Sequence, residues 1–155
     1  MRLYLVQHAR AMPKAADPKR PLTPKGRAEA ERIARVLEPL ELKIDQLWHS
    51  GKLRAEQTAA IYANALKVAN GPAARKGLAP NDNVAPLRNE LAGATGDIMI
   101  VGHVPFVSKL AALLLTGCES PPVVAFVNAG VVCLDRTEDD RWQVAWIITP
   151  ELLPE

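Results

Sequence analysis

The chain has 155 residues, of which 48% are hydrophobic and 23% charged, values that are typical of one soluble globular domain. Its formal net charge is only +2, so the molecule as a whole has no strong attraction for nucleic acid. No apolar run approaches membrane-spanning length, and the first one is too short for a signal peptide. Two cysteines without metal-type spacing, Cys118 and Cys133, suit a reducing compartment. We expect a cytoplasmic protein that folds as a single domain over residues 1–155 and binds neither nucleic acid nor membranes.

Hydrophobic runs and helix-start signals predict alternating strands and helices, followed by strands alone. Leu3–Val6 and Asp97–Val101 are the clearest apolar runs, each typical of a strand buried on both faces. Thr23-Pro24 is typical of a helix start, with the threonine as N-cap. The predicted order is strand 3–6, helix 24–39, strand 44–49, helix 52–66, loop 70–83, helix 84–91, strand 97–101, helix 105–116, then strands 123–127, 131–134 and 143–148. This alternation predicts an α/β fold with a parallel sheet and antiparallel strands at its end.

Three strand-to-helix turns each carry an unusual side chain. His8 follows the first strand, Arg54 lies in the first turn of the second helix, and His103 follows strand 97–101. Because the carboxyl ends of parallel strands meet at one edge of a sheet, these three side chains can converge there. Arg54 opposes the helix dipole, which is unfavourable unless an anion lies nearby. A single histidine at a strand end is more often structural. His49 is interpreted as either structural or as a residue that supports those in the site.

Two histidines and an arginine are compatible with three kinds of chemistry. A metal site usually adds carboxylates or cysteines, and none lies beside His8 or His103. A serine hydrolase could use Ser50, but the chain has no GxSxG segment. The third possibility is a phosphoryl site. Imidazole has a pKa of about 6.5, so its neutral form, which is a good nucleophile, is present near neutral pH. Arginine offers paired N–H donors to phosphate oxygens.

Positive charge is concentrated between Arg10 and Ala28. Six basic residues and one acidic residue give this stretch a local charge of +5, more than that of the whole chain. One interpretation is a solvated loop and helix start. The other is an electropositive rim that attracts an anionic substrate or an acidic protein. The sequence leaves both open.

Four segments of the chain resemble motifs of the histidine phosphatase superfamily, in the same order and at similar spacing. They are LVQHARA near the N-terminus, RPLTPKG (Arg20–Gly26), SGKLRAEQT (Ser50–Thr58) and VGHVP (Val101–Pro105). The short length, the lack of a large inserted cap and the RPLT segment are similar to the SixA-type phosphohistidine phosphatase branch. The resemblance covers the chain from Leu3 to about Trp146. It implies a small, uncapped member with a three-layer α/β/α fold and a mostly parallel central sheet.

The resemblance also implies roles for individual residues. His8 would be the nucleophile that becomes phosphorylated, and Arg54 and His103 would bind the phosphoryl oxygens. Further phosphate-binding candidates are Gln7, Arg10, Arg20, Ser50 and Gly102. The superfamily implies no metal and no organic cofactor. The implied partners are a phosphohistidine-bearing protein, for which the basic stretch favours an acidic surface, and phosphate or its oxyanion analogues.

Two positions depart from the pattern of the superfamily. Gln7 stands where an arginine is usual, which removes a full charge from the phosphate pocket, and Arg10 could supply that charge. The general acid that many members use is also missing, since only Asp82 is a loose candidate and a turn residue is its simpler interpretation. An imidazole leaving group is far less basic than an alkoxide and needs little acid assistance. The missing acid therefore favours P–N over P–O substrates.

These residues predict an enzyme that hydrolyses phosphohistidine on a protein through a phospho-His8 intermediate. One alternative is a broader phosphomonoesterase that acts on small molecules in the same fold. The other is a weakly active or non-catalytic phosphate-binding module, which the replacement of the usual arginine by Gln7 keeps open.

Overall fold

The computed structural model describes residues 1–155 and contains one six-stranded sheet with helices on both faces. The strands are β1 (Arg2–Gln7), β2 (Lys43–His49), β3 (Lys67–Ala74), β4 (Ile98–Gly102), β5 (Val131–Arg136) and β6 (Trp142–Ile148). The helices are α1 (Pro24–Leu37), α2 (Leu53–Ala65), α3 (Ala85–Ala92) and α4 (Phe106–Thr116). None of these helices is long and apolar enough to cross a membrane.

The sheet has the strand order β3-β2-β4-β1-β5-β6. The first four strands in this order are parallel, whereas β5 and β6 are added in antiparallel pairing at one side. Residues of α1 and α2 pack in one hydrophobic cluster and residues of α3 and α4 in another, on opposite faces of the sheet. The predicted three-layer α/β/α fold with a mostly parallel sheet is therefore confirmed.

The first strand shows why the sheet is buried on both faces. Tyr4 and Val6 lie in the cluster beneath α1 and α2, whereas Leu3 and Leu5 lie in the cluster beneath α3 and α4. All four are at most 1% exposed. Successive side chains of a strand point to opposite faces, so a continuous apolar run is required where both faces are covered.

Two of the predicted elements are wrong. The predicted strand 123–127 is irregular, because Val124 and Phe126 pack against the α3/α4 cluster without joining the sheet. The predicted loop 70–83 begins instead with the second half of β3. That strand pairs with β2 alone, at the edge of the sheet, where Pro72 is tolerated because no second neighbour needs the N–H group that proline lacks.

Gly26 fixes the distance between α1 and the loop that follows β1. Thr23 caps this helix as predicted, accepting a hydrogen bond from the Gly26 N–H at 2.9 Å. A Cβ atom on Gly26 would lie 2.8 Å from the backbone N of Arg10 and 2.9 Å from its C. The helix can approach the Arg10 backbone this closely only with glycine at this position.

Gly26→Ala should therefore destabilise the protein. Alanine favours a helix by ~1 kcal/mol over glycine, but the clash with backbone atoms forces the helix to move and should cost about 1–3 kcal/mol net. Urea unfolding measures the change. Gly93→Ala is the matched control, because its nearest neighbour, the Glu90 oxygen, is 3.9 Å from the added carbon. Equal stability of the two variants would contradict this close-packing argument.

Candidate active site

The candidate site lies at the carboxyl edge of the parallel strands. Strands β2, β4 and β1 are neighbours, and His8 and His103 directly follow β1 and β4. The two imidazole centroids are 5.0 Å apart, with the ring planes at 54°. The His8 N–H donates to the Gly102 carbonyl at 2.9 Å, which fixes the two strand ends against each other. The predicted convergence of the two histidines is thus present in the structure.

His8 has one ring nitrogen engaged and one without a protein partner. Its Nδ1 lies 2.7 Å from the Ala9 carbonyl oxygen, and since a carbonyl can only accept, Nδ1 carries the proton and Nε2 keeps its lone pair. Burial lowers the pKa of His8 to about 4, although the Ala9 hydrogen bond acts in the opposite direction. The positive charges of Arg54 and Arg20 lower this pKa further. His8 is therefore a neutral imidazole at neutral pH.

The peptide unit between His8 and Ala9 is held at both of its polar atoms. Asn128 Nδ2 donates to the His8 carbonyl at 2.8 Å, and the Ala9 N–H donates to Thr58 Oγ1 at 2.9 Å. The Thr58 hydroxyl, which is fully buried, donates in turn to the Arg54 carbonyl at 2.8 Å. We call this arrangement the His8 clamp. It ties the backbone at His8 to the helix turn that carries Arg54.

His103 also has one engaged and one free ring nitrogen. Its Nε2 lies 2.6 Å from Ser50 Oγ, and its buried Nδ1 has no hydrogen-bond partner. Burial lowers the pKa of His103 to about 3, and the neighbouring His8, Arg54, Lys52 and Arg20 lower it further. Ser50 does not cap α2, whose N-cap residue is Lys52. The Ser50 hydroxyl instead faces the imidazole.

Arg54 lies in the first turn of α2, as predicted, and its Nε is buried without a hydrogen-bond partner. Burial lowers its pKa, and the charge of Arg20 contributes. Arg54 makes no ion pair with any carboxylate. A buried donor without a partner costs about 1–3 kcal/mol. The positive charge of Arg54, which no carboxylate offsets, suits an anionic ligand at this edge of the sheet.

Three of the six basic residues of the predicted rim, Arg10, Arg20 and Lys25, line a cleft beside His8, which we call the His8 cleft. It has a volume of about 490 Å³ and is lined by His8, Arg10, Ala11, Arg20, Thr23, Lys25 and Asn128. The Arg20 Nε donates to the Met12 carbonyl at 3.0 Å. The Arg10 Nε pairs with Glu29 Oε1 at 2.7 Å, so the charge that Arg10 could add to the site is offset by this carboxylate. Arg20 forms no ion pair.

The other predicted site residues lie in different positions. Gln7 lines a neighbouring cleft and is absent from the lining of the His8 cleft. Gly102 meets the site through the carbonyl that accepts from His8. Asp82 lies in a turn, where its Oδ2 accepts from the Ala79 N–H at 2.9 Å. The turn interpretation of Asp82 thus accounts for its carboxylate.

Sequence reasoning missed three residues at this site, namely Thr58, Asn128 and Lys52. Thr58 is a polar residue on the buried face of α2, and a buried hydroxyl on an apolar helix face is a signal that could have been used. Asn128 lies between two predicted strands and Lys52 at the start of a predicted helix, and neither position carries a sequence signal for this site. The chain contains no group of three or more His, Cys, Asp or Glu side chains that could hold a metal ion.

Comparison with known proteins gives relatives that cover almost the whole chain. The chain is 26% identical over 155 residues to the phosphohistidine phosphatase SixA of Escherichia coli (strain K12), covering 97% of this chain and 94% of that protein. It is 33% identical over 124 residues to an uncharacterised protein of Picosynechococcus sp., covering 76% of this chain and 74% of that protein.

A solved structure and a family model agree with these relatives. The structure of the protein histidine phosphatase SixA complexed with tungstate superposes with a TM-score of 0.85 at 25% identity, covering 99% of this chain and 100% of that one. The family model described as histidine phosphatase superfamily (branch 1) matches residues 3–79, the segment that holds His8 and Arg54. Together with the paired imidazoles at the sheet edge, these matches identify the chain as a member of the histidine phosphatase superfamily.

Proposed function

We propose that this chain is a phosphohistidine phosphatase that hydrolyses phosphohistidine on a protein through a phospho-His8 intermediate. The observation that carries the proposal is the state of His8, whose Nδ1 donates to Ala9 while Nε2 keeps its lone pair. Its pKa is lowered to about 4, so the imidazole is neutral and nucleophilic at neutral pH. Similarity to a SixA protein whose structure contains tungstate, an oxyanion, supports phosphoryl binding at this site.

In the first step, His8 Nε2 attacks the phosphorus atom and the P–N bond of the substrate breaks. The substrate imidazole leaves as a neutral ring when its other nitrogen carries a proton. Phospho-His8 keeps its proton on Nδ1, where it stays hydrogen-bonded to the Ala9 carbonyl oxygen. Arg54, which makes no ion pair with a carboxylate, and His103 would bind the phosphoryl oxygens, and the charges of Arg20 and Lys52 would stabilise the developing negative charge.

In the second step, water attacks the phosphorus atom of phospho-His8 and the P–Nε2 bond breaks. The electron pair of that bond returns to Nε2, and the water supplies the oxygen and protons of the released phosphate. His8 is thereby restored with its proton still on Nδ1. Because the His8 ring leaves as neutral imidazole, this step needs no carboxylic acid beside the leaving group.

The lining of the His8 cleft supports a P–N substrate and an acidic partner. It contains no carboxylate that could protonate an alkoxide. It does contain Arg20 and Lys25, which form no ion pairs, and these cations would attract an acidic protein surface. Cys118 and Cys133 are free thiols, which supports action in the cytoplasm, a reducing compartment.

The direct test is a search for phosphate on His8 after rapid mixing with a phosphohistidine protein and quenching. Mass spectrometry should find the modification on His8, and His8→Gln should lose both the modification and turnover by about 10³-fold or more. His49→Gln, which changes the third histidine of the chain, is the matched control and should keep both. Turnover by His8→Gln near the wild-type rate would overturn the mechanism.

Competition between substrates separates the alternatives. We expect phosphohistidine proteins to react much faster than sugar phosphates, with an apparent affinity that weakens as salt is raised. Comparable rates on both would favour the broader phosphomonoesterase. Tungstate binding without turnover of either substrate would favour a phosphate-binding module.

The pH dependence should follow the lowered pKa of His8. An ordinary histidine is mostly protonated below a pH of about 6.5, but His8 stays neutral until the pH approaches its pKa of about 4. The pH profile of kcat/KM reports on groups of the free enzyme. Protonation of His8 should therefore cause no decrease in kcat/KM near pH 6.5. The enzyme variant Arg20→Gln, which removes one cause of the lowered pKa, should shift the acid limb towards higher pH. An acid limb at pH 6.5 in the wild type would contradict this assignment.

Thr58→Val should reduce the rate of phospho-His8 formation without abolishing anion binding. Valine keeps the shape of threonine but leaves the Ala9 N–H without its acceptor, a loss of about 1–3 kcal/mol. Expressed in full in the activation barrier, this loss is about fivefold to 150-fold in kcat. Thr58→Ser keeps the hydroxyl and should restore the rate.

A nitrogen-15 NMR spectrum of the His8 ring distinguishes positioning from general destabilisation. The wild type and Thr58→Ser should show a protonated Nδ1, whereas Thr58→Val should show a mixture of the two neutral tautomers. A wild-type tautomer and a wild-type kcat in Thr58→Val would show that the clamp does not orient His8.

A further inference from the structure

A second cleft lies beside the His8 cleft along α1. It has a volume of about 810 Å³ and lies between α1 and residues 150–155; we call it the α1 cleft. Arg10, Lys25 and Asn128 line both clefts, so the two are adjacent. The His8 cleft alone is already in the size range of small-ligand pockets. A free phosphohistidine would therefore leave the α1 cleft unoccupied.

The two walls of the α1 cleft differ in charge. The α1 wall carries Lys25 and Arg32, which form no ion pairs, and Glu29, which is already paired with Arg10. The opposite wall carries two glutamates near the C-terminus, Glu151 and Glu155. The Nε of Arg32 is buried and has no hydrogen-bond partner.

An apolar patch lies between these walls. Phe126 and Val127 line the cleft, and Val127 is 36% exposed. A partner segment that offers an apolar side chain to this patch would remove it from water, whereas a single amino acid bound at His8 has no side chain to place there. The combination of an unpaired arginine and an apolar patch next to a reactive centre is typical of a protein-docking surface.

We propose that the α1 cleft binds the polypeptide next to the phosphohistidine of a protein substrate. An acidic side chain of that polypeptide pairs with Arg32, and an apolar side chain packs on Val127. The carboxylate of the bound polypeptide lies on the α1 side of the cleft, because Glu151 and Glu155 would repel it from the opposite wall. This inference rests on the proposed function and adds where the protein, as distinct from its phosphoryl group, is recognised.

The test compares two substrates with two variants. Arg32→Gln removes the unpaired charge from the cleft, and Arg27→Gln removes one charge from the same helix on its outer side, beside Glu31 and Arg35. Both variants change the net charge equally, so any general attraction for an acidic protein changes equally. The substrates are a phosphohistidine protein and free phosphohistidine, and circular dichroism melting verifies that both variants are folded.

Arg32→Gln should raise KM for the phosphohistidine protein by about tenfold, the effect of losing one charge-assisted hydrogen bond. It should leave kcat/KM for free phosphohistidine unchanged. Arg27→Gln should change neither. Val127→Ser should also raise KM for the phosphohistidine protein and leave that for free phosphohistidine unchanged. If Arg32→Gln fails to fold, Val127→Ser tests the proposal in its place.

The outcomes separate the two proposals. If the wild type hydrolyses both substrates and Arg32→Gln and Val127→Ser behave like Arg27→Gln, docking in the α1 cleft is overturned while the proposed function stands. If Arg32→Gln weakens both substrates equally, Arg32 acts on the phosphoryl site and the docking proposal is again wrong. If the wild type hydrolyses neither substrate, the proposed function fails and the docking proposal fails with it.

Discussion

The chemistry of this site depends on one hydrogen bond, from His8 Nδ1 to the Ala9 carbonyl. It assigns the proton to one ring nitrogen and leaves the lone pair on the other, which is what a nucleophilic imidazole requires. The peptide unit between His8 and Ala9 is held by Thr58 from α2 and by Asn128 from the turn before β5. Elements that are 49 and 120 residues away along the chain thus control one side chain.

The positive groups of the site repel one another, and this is consistent with the proposed function. Arg54 and Arg20 lower the pKa of His8, and Lys52 joins them in lowering that of His103, with no carboxylate in an ion pair with any of these three cations. Positive groups gathered without a counter-ion repel one another, so a phosphoryl anion would be stabilised by all of them at once. Because Gln7 stands where an arginine is usual in the superfamily, the site lacks one of several positive groups.

The parts of the site that were predicted are those that the backbone determines. His8 and His103 follow apolar strands, and the parallel arrangement of β1 and β4 was enough to bring them to one edge. Thr58, Asn128 and the Ser50–His103 contact could not be predicted in this way, because each depends on a hydrogen bond between residues distant in sequence. The wrongly predicted strand at 123–127 has a related cause. Burial of Val124 and Phe126 produces the same apolar sequence pattern whether or not the segment joins a sheet. Likewise, the offset of Arg10 by Glu29 depends on how α1 packs against the loop after β1.

The two proposed steps make the same demand on the leaving group, which explains how the site can work without a carboxylic acid. In each step a P–N bond to an imidazole breaks, first in the substrate and then at His8. A site that can release the His8 ring without a general acid can release a substrate imidazole for the same chemical reason. A phosphate ester would differ, because its alkoxide needs a proton in the first step only. Asp82 is bonded in its turn and the seven residues that line the His8 cleft include no carboxylate, so under the proposed mechanism both steps proceed with imidazole as the leaving group.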